Sequence, residues 1–176
     1  LIGACANGHT EVVRLLLQRG ELNVNLQNHF NSTAFIGACR KGHTEIVRLL
    51  LQREELNVNL QGQYNNTALI LACLNGHTEI VQLLLQRDEL DVNLQNKNNT
   101  TALLGACLNG HTEIVQLLLQ REELNVNLQN KNNTTALLGA CLNGHTEIVQ
   151  LLLQREELNV NLQNKNNTTA LLGACL

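Results

Sequence analysis

The sequence predicts an all-α repeat solenoid, built from stacked helix-turn-helix units of 34 residues with short extended fingers between them. Three observations carry this. Gly8, Gly42, Gly76, Gly110 and Gly144 recur 34 residues apart, and periods between about 20 and 50 residues mark stacked repeat architectures. Residues 144–176 are identical to 110–142, and 76–108 differ from 110–142 only in Asp88 for Glu122 and Asp91 for Asn125. Within each copy, apolar residues first follow a helical spacing and then alternate. Units of this kind touch only their neighbours, so the core is a strip rather than a ball. The chain then counts as one array over 1–176, with four complete units in 33–168 and partial units at 1–32 and 169–176.

Each element follows from the unit that begins at Thr101. In TTALLGACLN, Leu103, Ala106 and Cys107 fall at i, i+3 and i+4, the buried face of a short first helix. Asn109-Gly110 ends it, because glycine accepts the left-handed conformation that closes helices. HTEIVQLLLQRE is a second helix. Ile114, Val115, Leu117, Leu118 and Leu119 cover more than one face, as expected of a helix between two neighbours. Thr112 is the expected N-cap, Glu113 suits the positive helix start, and Arg121 lies near the negative end. In LNVNLQNKNNT, Leu124, Val126 and Leu128 alternate with polar residues, which predicts a brief extended segment. The Asn-rich tip that follows is a tight turn, since Asn tolerates left-handed backbone.

Composition excludes several function classes. Net charge is −3, from 12 basic and 15 acidic residues, which argues against an electrostatic nucleic-acid binder. Apolar runs are only a few residues long, so no segment inserts across a bilayer. The six cysteines, Cys5, Cys39, Cys73, Cys107, Cys141 and Cys175, hold one place each in successive copies. Stacked helices lie about 8–10 Å apart, beyond the roughly 7 Å that a disulfide tolerates between Cα atoms. They are expected as free, buried thiols, which points to a reducing, intracellular and cytoplasmic setting. No constellation converges on a reaction centre, because every candidate recurs in each copy. His9, His43, His77, His111 and His145 form a structural ladder rather than a metal site, and no cofactor is expected. Glu54-Glu55, Glu122-Glu123 and Glu156-Glu157 stand beside Arg53, Arg121 and Arg155 as a solvated charge ladder worth little per pair. Triplets such as Asn31-Ser32-Thr33, Asn65-Asn66-Thr67 and Asn99-Thr100-Thr101 have the form of glycosylation acceptors but are expected as turn residues.

The unit resembles the ankyrin repeat, whose pattern carries Thr-Pro-Leu-His, Ala-Ala, Gly-His, Ile/Val-Val, Leu-Leu-Leu and Asp-Val-Asn. Thr135, Leu137, Ala140, Gly144, His145, Ile148, Val149, Leu151, Leu152 and Leu153 match it, and Val160 and Asn161 match the finger. The departures are informative. Ala34, Ala68, Ala102, Ala136 and Ala170 replace the family's proline, removing some rigidity at the helix start. Ile36, Ile70, Leu104 and Leu138 replace the family's histidine, so its hydrogen bonds are expected to be absent. Asn31, Asn65, Asn99 and Asn133 replace the turn glycine. Gly37, Gly105, Gly139 and Gly173 sit inside first helices and should each cost about 1 kcal/mol against Ala, predicting soft first helices.

The resemblance implies a non-catalytic module that grips a protein partner through finger tips and the concave face of the first helices. The tip residues are His29, Phe30, Gln63, Tyr64, Lys97 and Lys131. On the helix face they are Arg40, Lys41, Leu74, Leu108 and Leu142, the three leucines forming an exposed apolar row. Phe30 and Tyr64 hold the same tip position in successive copies, and rigid aromatics are favoured interface anchors. The resemblance also implies that finger asparagines are substrates of an asparaginyl hydroxylase. Only Asn93, in Asp91-Val92-Asn93, keeps the fuller context. Near-identity over 76–176 equally fits an architectural spacer without a dedicated partner. Identical copies also fit an engineered array, while the uneven copies in 8–75 fit natural duplication. Without polar capping repeats, a monomer or weak end-to-end association through the termini is expected.

Overall fold

The computed structural model describes residues 1–175 of the 176; among them, all regular structure is helical and no strand forms. Leu176, the last residue of the terminal partial repeat, lies outside the described residues. The chain divides into two compact units, Leu1–Asp91 and Val92–Leu176. The first holds α1 (Ile2–Ala6), α2 (Thr10–Leu17), α3 (Ala34–Lys41), α4 (Thr44–Leu51), a 3-10 turn (Gln63–Asn65), α5 (Ala68–Leu74) and α6 (Thr78–Leu84). The second holds α7 (Ala102–Asn109), α8 (Thr112–Leu118), α9 (Ala136–Leu142), α10 (Thr146–Leu152) and α11 (Ala170–Gly173). First helices stack on first helices, α1 on α3 on α5 and α7 on α9 on α11. Second helices stack likewise, α2 on α4 on α6 and α8 on α10. This is the all-α repeat solenoid that the period predicts.

Local chemistry sets each boundary. Thr33, extended at φ −93° and ψ 167°, accepts the Ile36 N–H on its hydroxyl at 3.1 Å and so opens α3. Thr67, Thr101 and Thr135 cap α5, α7 and α9 in the same way. All four are buried, so losing the hydroxyl removes a cap worth about 1 kcal/mol. At the other end, Gly42 takes φ +76°. It cannot carry a Cβ for a second reason: that atom would stand 2.7 Å from Cε1 of His77.

One local expectation is corrected. Thr112 is the first residue inside α8, and the N-cap position belongs to His111, without a side-chain cap bond. His supplies something else. The ring Nε2 of His43 lies 3.3 Å from the Ala6 carbonyl, and that of His77 lies 3.2 Å from the Arg40 carbonyl. A carbonyl only accepts, so Nε2 carries the proton in these pairs. The histidine therefore ties its repeat to the preceding one. In the finger, Leu124 and Val126 pair in no strand ladder and plug the core, at 4% and 1% exposure. Their alternation reports which side chains point inward, not a ladder.

The core sits between the helix layers. Ile46, Leu50, Leu69, Ile80, Leu84, Leu103, Ile114, Leu118 and Leu138 are among its fully buried side chains. Truncating one such leucine to Ala typically costs about 2–5 kcal/mol. The helix glycines also have a purpose. A Cβ built on Gly139 would stand 3.1 Å from Cδ2 of Leu108, and one on Gly173 would stand 3.2 Å from Cδ2 of Leu142. Each glycine seats a leucine from the last turn of the preceding first helix. At these two positions the missing Cβ permits close approach between helices.

Repeats are also joined by polar ties. The Asn25 amide donates to the Glu55 carbonyl at 2.7 Å and accepts the Asn57 N–H at 2.9 Å. Asn59 does the same with Glu89 and Asp91, Asn93 with Glu123 and Asn125, and Asn127 with Glu157 and Asn159. Arg53, Arg87 and Arg155 donate to Leu17, Leu51 and Leu119 carbonyls, at or just past the end of the preceding second helix. The same arginines pair with Glu55, Glu89 and Glu157 at 2.6–2.7 Å. The carboxyls of Glu55 and Glu157 are held below the usual range first by their own backbone N–H and then by this arginine bond; for Glu89 the Arg87 bond leads.

All six cysteines are thiols outside any disulfide. Burial raises the Cys5 thiol to about 11 and pushes Cys39 and Cys107 higher still.

Candidate partner-binding surface

Tip geometry comes from one side chain per repeat. The Asn28 Oδ1 accepts the N–H of Phe30 at 2.9 Å and of Ser32 at 3.0 Å, and Asn31 then turns at φ +56°. Asn96, Asn130 and Asn164 fold their tips in the same way. In the second unit, successive tips are linked by main-chain bonds, Lys131 N–H to the Asn98 carbonyl at 2.9 Å and Lys165 N–H to the Asn132 carbonyl at 3.0 Å.

One tip departs from this pattern. Gly62 stands where the others have asparagine, so no side chain is present to accept the two N–H groups. The tip tightens into the 3-10 turn, and both Tyr64 and Asn65 take φ +58°. Left-handed backbone costs a non-glycine residue about 1–2 kcal/mol. Asn carries it readily; a bulky tyrosine does not. The Asn66 side chain donates to the Gln63 carbonyl at 3.1 Å and helps hold the turn. The Tyr64 ring remains 63% exposed.

The first unit brings together four of the predicted residues. Phe30, Arg40, Gln63 and Tyr64 line one cavity of about 300 Å³, together with Ile2, Ala6, Asn28, Ser32, Ile36, Gly37, Asn66 and Leu71. The His29 ring lies against Phe30, with centroids 4.1 Å apart and planes tilted by 48°. Lys41 is exposed at the end of α3, outside the cavity lining. Lys97 and Lys131 are exposed on their tips. The exposed leucine row is corrected: Leu74 and Leu108 are half-buried, and only Leu142 is open, at 45%. Leu108 rests over Gly139. Asn93 is half-buried with both ends of its amide engaged.

The sequence reasoning missed the cavity floor, Ala6, Ile36 and Gly37. A signal was present. Ala6 holds the position that Leu108 and Leu142 fill, and Gly37 aligns with Gly139. The pair Ala6 and Gly37 is small on both sides, so the volume that Leu108 occupies over Gly139 is left empty here.

Arg40 differs electrostatically from the other arginines. Arg14, Arg19, Arg48, Arg53, Arg87, Arg121 and Arg155 all have carboxylate partners. Arg40 has none among the described residues. Those residues also contain no group of three or more metal-ligating side chains, and no helix long and apolar enough to cross a membrane.

A family model of ankyrin repeats, in three copies, matches residues 1–96 and again 88–164. The chain belongs to the ankyrin repeat family. Among solved structures it is similar to EF0377, described as an ankyrin repeat protein. The TM-score is 0.89 at 26% identity, over 98% of this chain and 88% of that one. No curated protein matches the chain. Ankyrin repeats are in general protein–protein interaction modules and in general non-catalytic. The ankyrin units here keep the family's Gly-His junction, and its finger asparagine forms the inter-repeat tie described above.

Proposed function

We propose that this ankyrin array is a non-catalytic interaction module that holds a protein partner on the tips and first-helix face of its first unit. His29, Phe30, Arg40, Lys41, Gln63 and Tyr64 make the principal contacts. The observation that carries this is Tyr64, an exposed aromatic kept on a strained left-handed backbone beside a cavity it shares with Phe30. Strain of this kind persists where function uses it. Rigid aromatics next to an arginine also have the composition of interface hot spots. Lys97, Lys131 and Leu142 offer secondary contacts along the second unit.

The test uses the 176-residue chain as bait, followed by affinity measurement with each purified prey. Changing Phe30 and Tyr64 together to Ala is expected to weaken the specific prey by about 2 kcal/mol or more, the scale of hot-spot loss. Preys that bind the double variant as tightly as the parent chain would show that the grip lies elsewhere.

A second function follows the near-identical repeats of 76–176, which present the same tip chemistry each time. They favour use as a spacer segment of a larger protein. That function predicts that Lys97 and Lys131 can both be changed to Ser without loss of any partner.

A further inference from the structure

We propose that the first-unit cavity is a side-chain socket for a partner segment that carries one bulky apolar residue next to a carboxylate. This rests on the interaction function above and specifies the chemistry of the partner.

The apolar half follows from what is absent at the floor. In the second unit, Leu108 lies on Gly139, and a Cβ there would meet its Cδ2 at 3.1 Å. In the first unit the aligned pair is Ala6 and Gly37, with the Ala6 Cβ 3.4 Å from the position a Gly37 Cβ would take. The leucine-sized space is therefore vacated, and Phe30 and Tyr64 wall it in. A volume of about 300 Å³ is at the small end of ligand-holding clefts. It suits one large aliphatic or aromatic side chain rather than a cofactor.

The acidic half follows from charge. Arg40 lines the same cavity and is the one arginine with no carboxylate partner among the described residues. Lys41 stands beside it on the same helix end. No basic pair occupies the aligned positions of later repeats, which hold Leu74-Asn75, Leu108-Asn109 and Leu142-Asn143. Arginine beside an apolar cleft reads planar carboxylates through its fork of donors. Here the apolar cavity and a cation without a carboxylate partner among the described residues coincide.

The decisive variant is already written in the protein. Ala6→Leu installs the residue that the later repeats carry over their own glycine, so the change is compatible with the fold while filling the socket. Arg40→Gln removes the charge and keeps a polar chain. The experiment selects displayed random peptides on the whole chain and measures the enriched peptides against the variants by fluorescence polarisation. Enriched peptides are expected to share a bulky apolar residue adjacent to Asp or Glu. Ala6→Leu is expected to weaken them about tenfold or more, about 1.4 kcal/mol. Arg40→Gln should weaken the acidic peptides several-fold and leave their Asn or Gln analogues unchanged. Circular dichroism and thermal melting of Ala6→Leu, expected to match the parent, separate a filled socket from a lost fold.

Enrichment of no peptide, or of peptides indifferent to Ala6→Leu, overturns the socket. Peptides lost with Phe30→Ala and Tyr64→Ala but indifferent to Ala6→Leu and Arg40→Gln overturn the socket while leaving the tip-based function standing. Peptides indifferent to all four substitutions overturn both. Enrichment of basic instead of acidic neighbours overturns the assigned role of Arg40.

Discussion

Leu108 rests on Gly139, thirty-one residues further along the chain, so closely that a Cβ on Gly139 would meet its Cδ2 at 3.1 Å. Helix-interior glycine is ordinarily about 1 kcal/mol worse than Ala, so Gly→Ala should stabilise a free-standing helix. Here the neighbour must give way. Gly139→Ala is therefore expected to lose that gain and destabilise by about 1 kcal/mol, in the range of mild overpacking. Gly37→Ala meets Ala6 alone, its methyl and main chain, at ordinary contact distance and is expected to stabilise by about 0.5–1 kcal/mol. Urea titrations of the two variants should shift in opposite directions. Two shifts of the same sign would contradict the seating of Leu108.

The finger asparagines should not be equivalent. Asn127 donates to the Glu157 carbonyl and accepts the Asn159 N–H. Asn161 holds the aligned place in the last complete repeat, and its amide meets no such pair among the described residues. Asn127→Ala removes two bonds to main chain, each worth about 1 kcal/mol net, and is expected to cost about 2 kcal/mol. Asn161→Ala should cost less than about 0.5 kcal/mol. Equal losses in thermal melts would mean that the bonds are not the source of the finger's importance. A hydroxylase acting on Asn93 would likewise have to open the Asn93 pair of bonds first.

Tyr64 is expected to trade stability for binding. Asn populates left-handed backbone several-fold more readily than most residues. Tyr64→Asn should thus relieve part of the strain and raise stability by about 0.5–1 kcal/mol, while removing one wall of the cavity. The check is a paired measurement, denaturant midpoint and partner affinity, on one variant. A variant less stable than the parent would show that the ring contributes more to the fold than its 63% exposure suggests.

The cysteines offer a probe of how tightly the repeats close. Cys39, Cys73 and Cys107 are buried, Cys141 is half-buried and Cys175 is exposed. Because the thiolate is the reacting form, burial that raises the pKa also protects. Native chain treated with iodoacetamide near neutral pH should take up one label quickly, at Cys175, and the buried thiols only on unfolding. Intact mass followed over time reads this directly. Rapid uptake at Cys107 would show that α7 opens on its own.

Much of this was legible in the repeat. The period, the two helices per copy, the Gly-His junction and the left-handed asparagine tips all follow from local preferences, which identical stretches repeat. Other features were read with the wrong cause. Leu124 and Val126 alternate because both point into the core, and a period of two does not say whether a ladder forms there. His111 rather than Thr112 holds the N-cap position, as His43, His77 and His145 do at their own helices. Leu108 reads as exposed when its own helix is viewed alone, and its cover comes from the following copy.

Sequence alone determined the architecture, because units that cannot bury their apolar faces in isolation have one economical solution, stacking on a like neighbour. It also determined where copies differ, at Ala6, Arg40, Gly62 and Tyr64. Tertiary packing alone decided what those differences mean. A small residue opposite a glycine opens a cavity only because helices 31 residues apart approach within side-chain contact. Among the described residues, Arg40 lines that cavity without a carboxylate partner, which its place in the chain alone does not reveal. Distances across the stack, not preferences along the chain, turn four substitutions into one site.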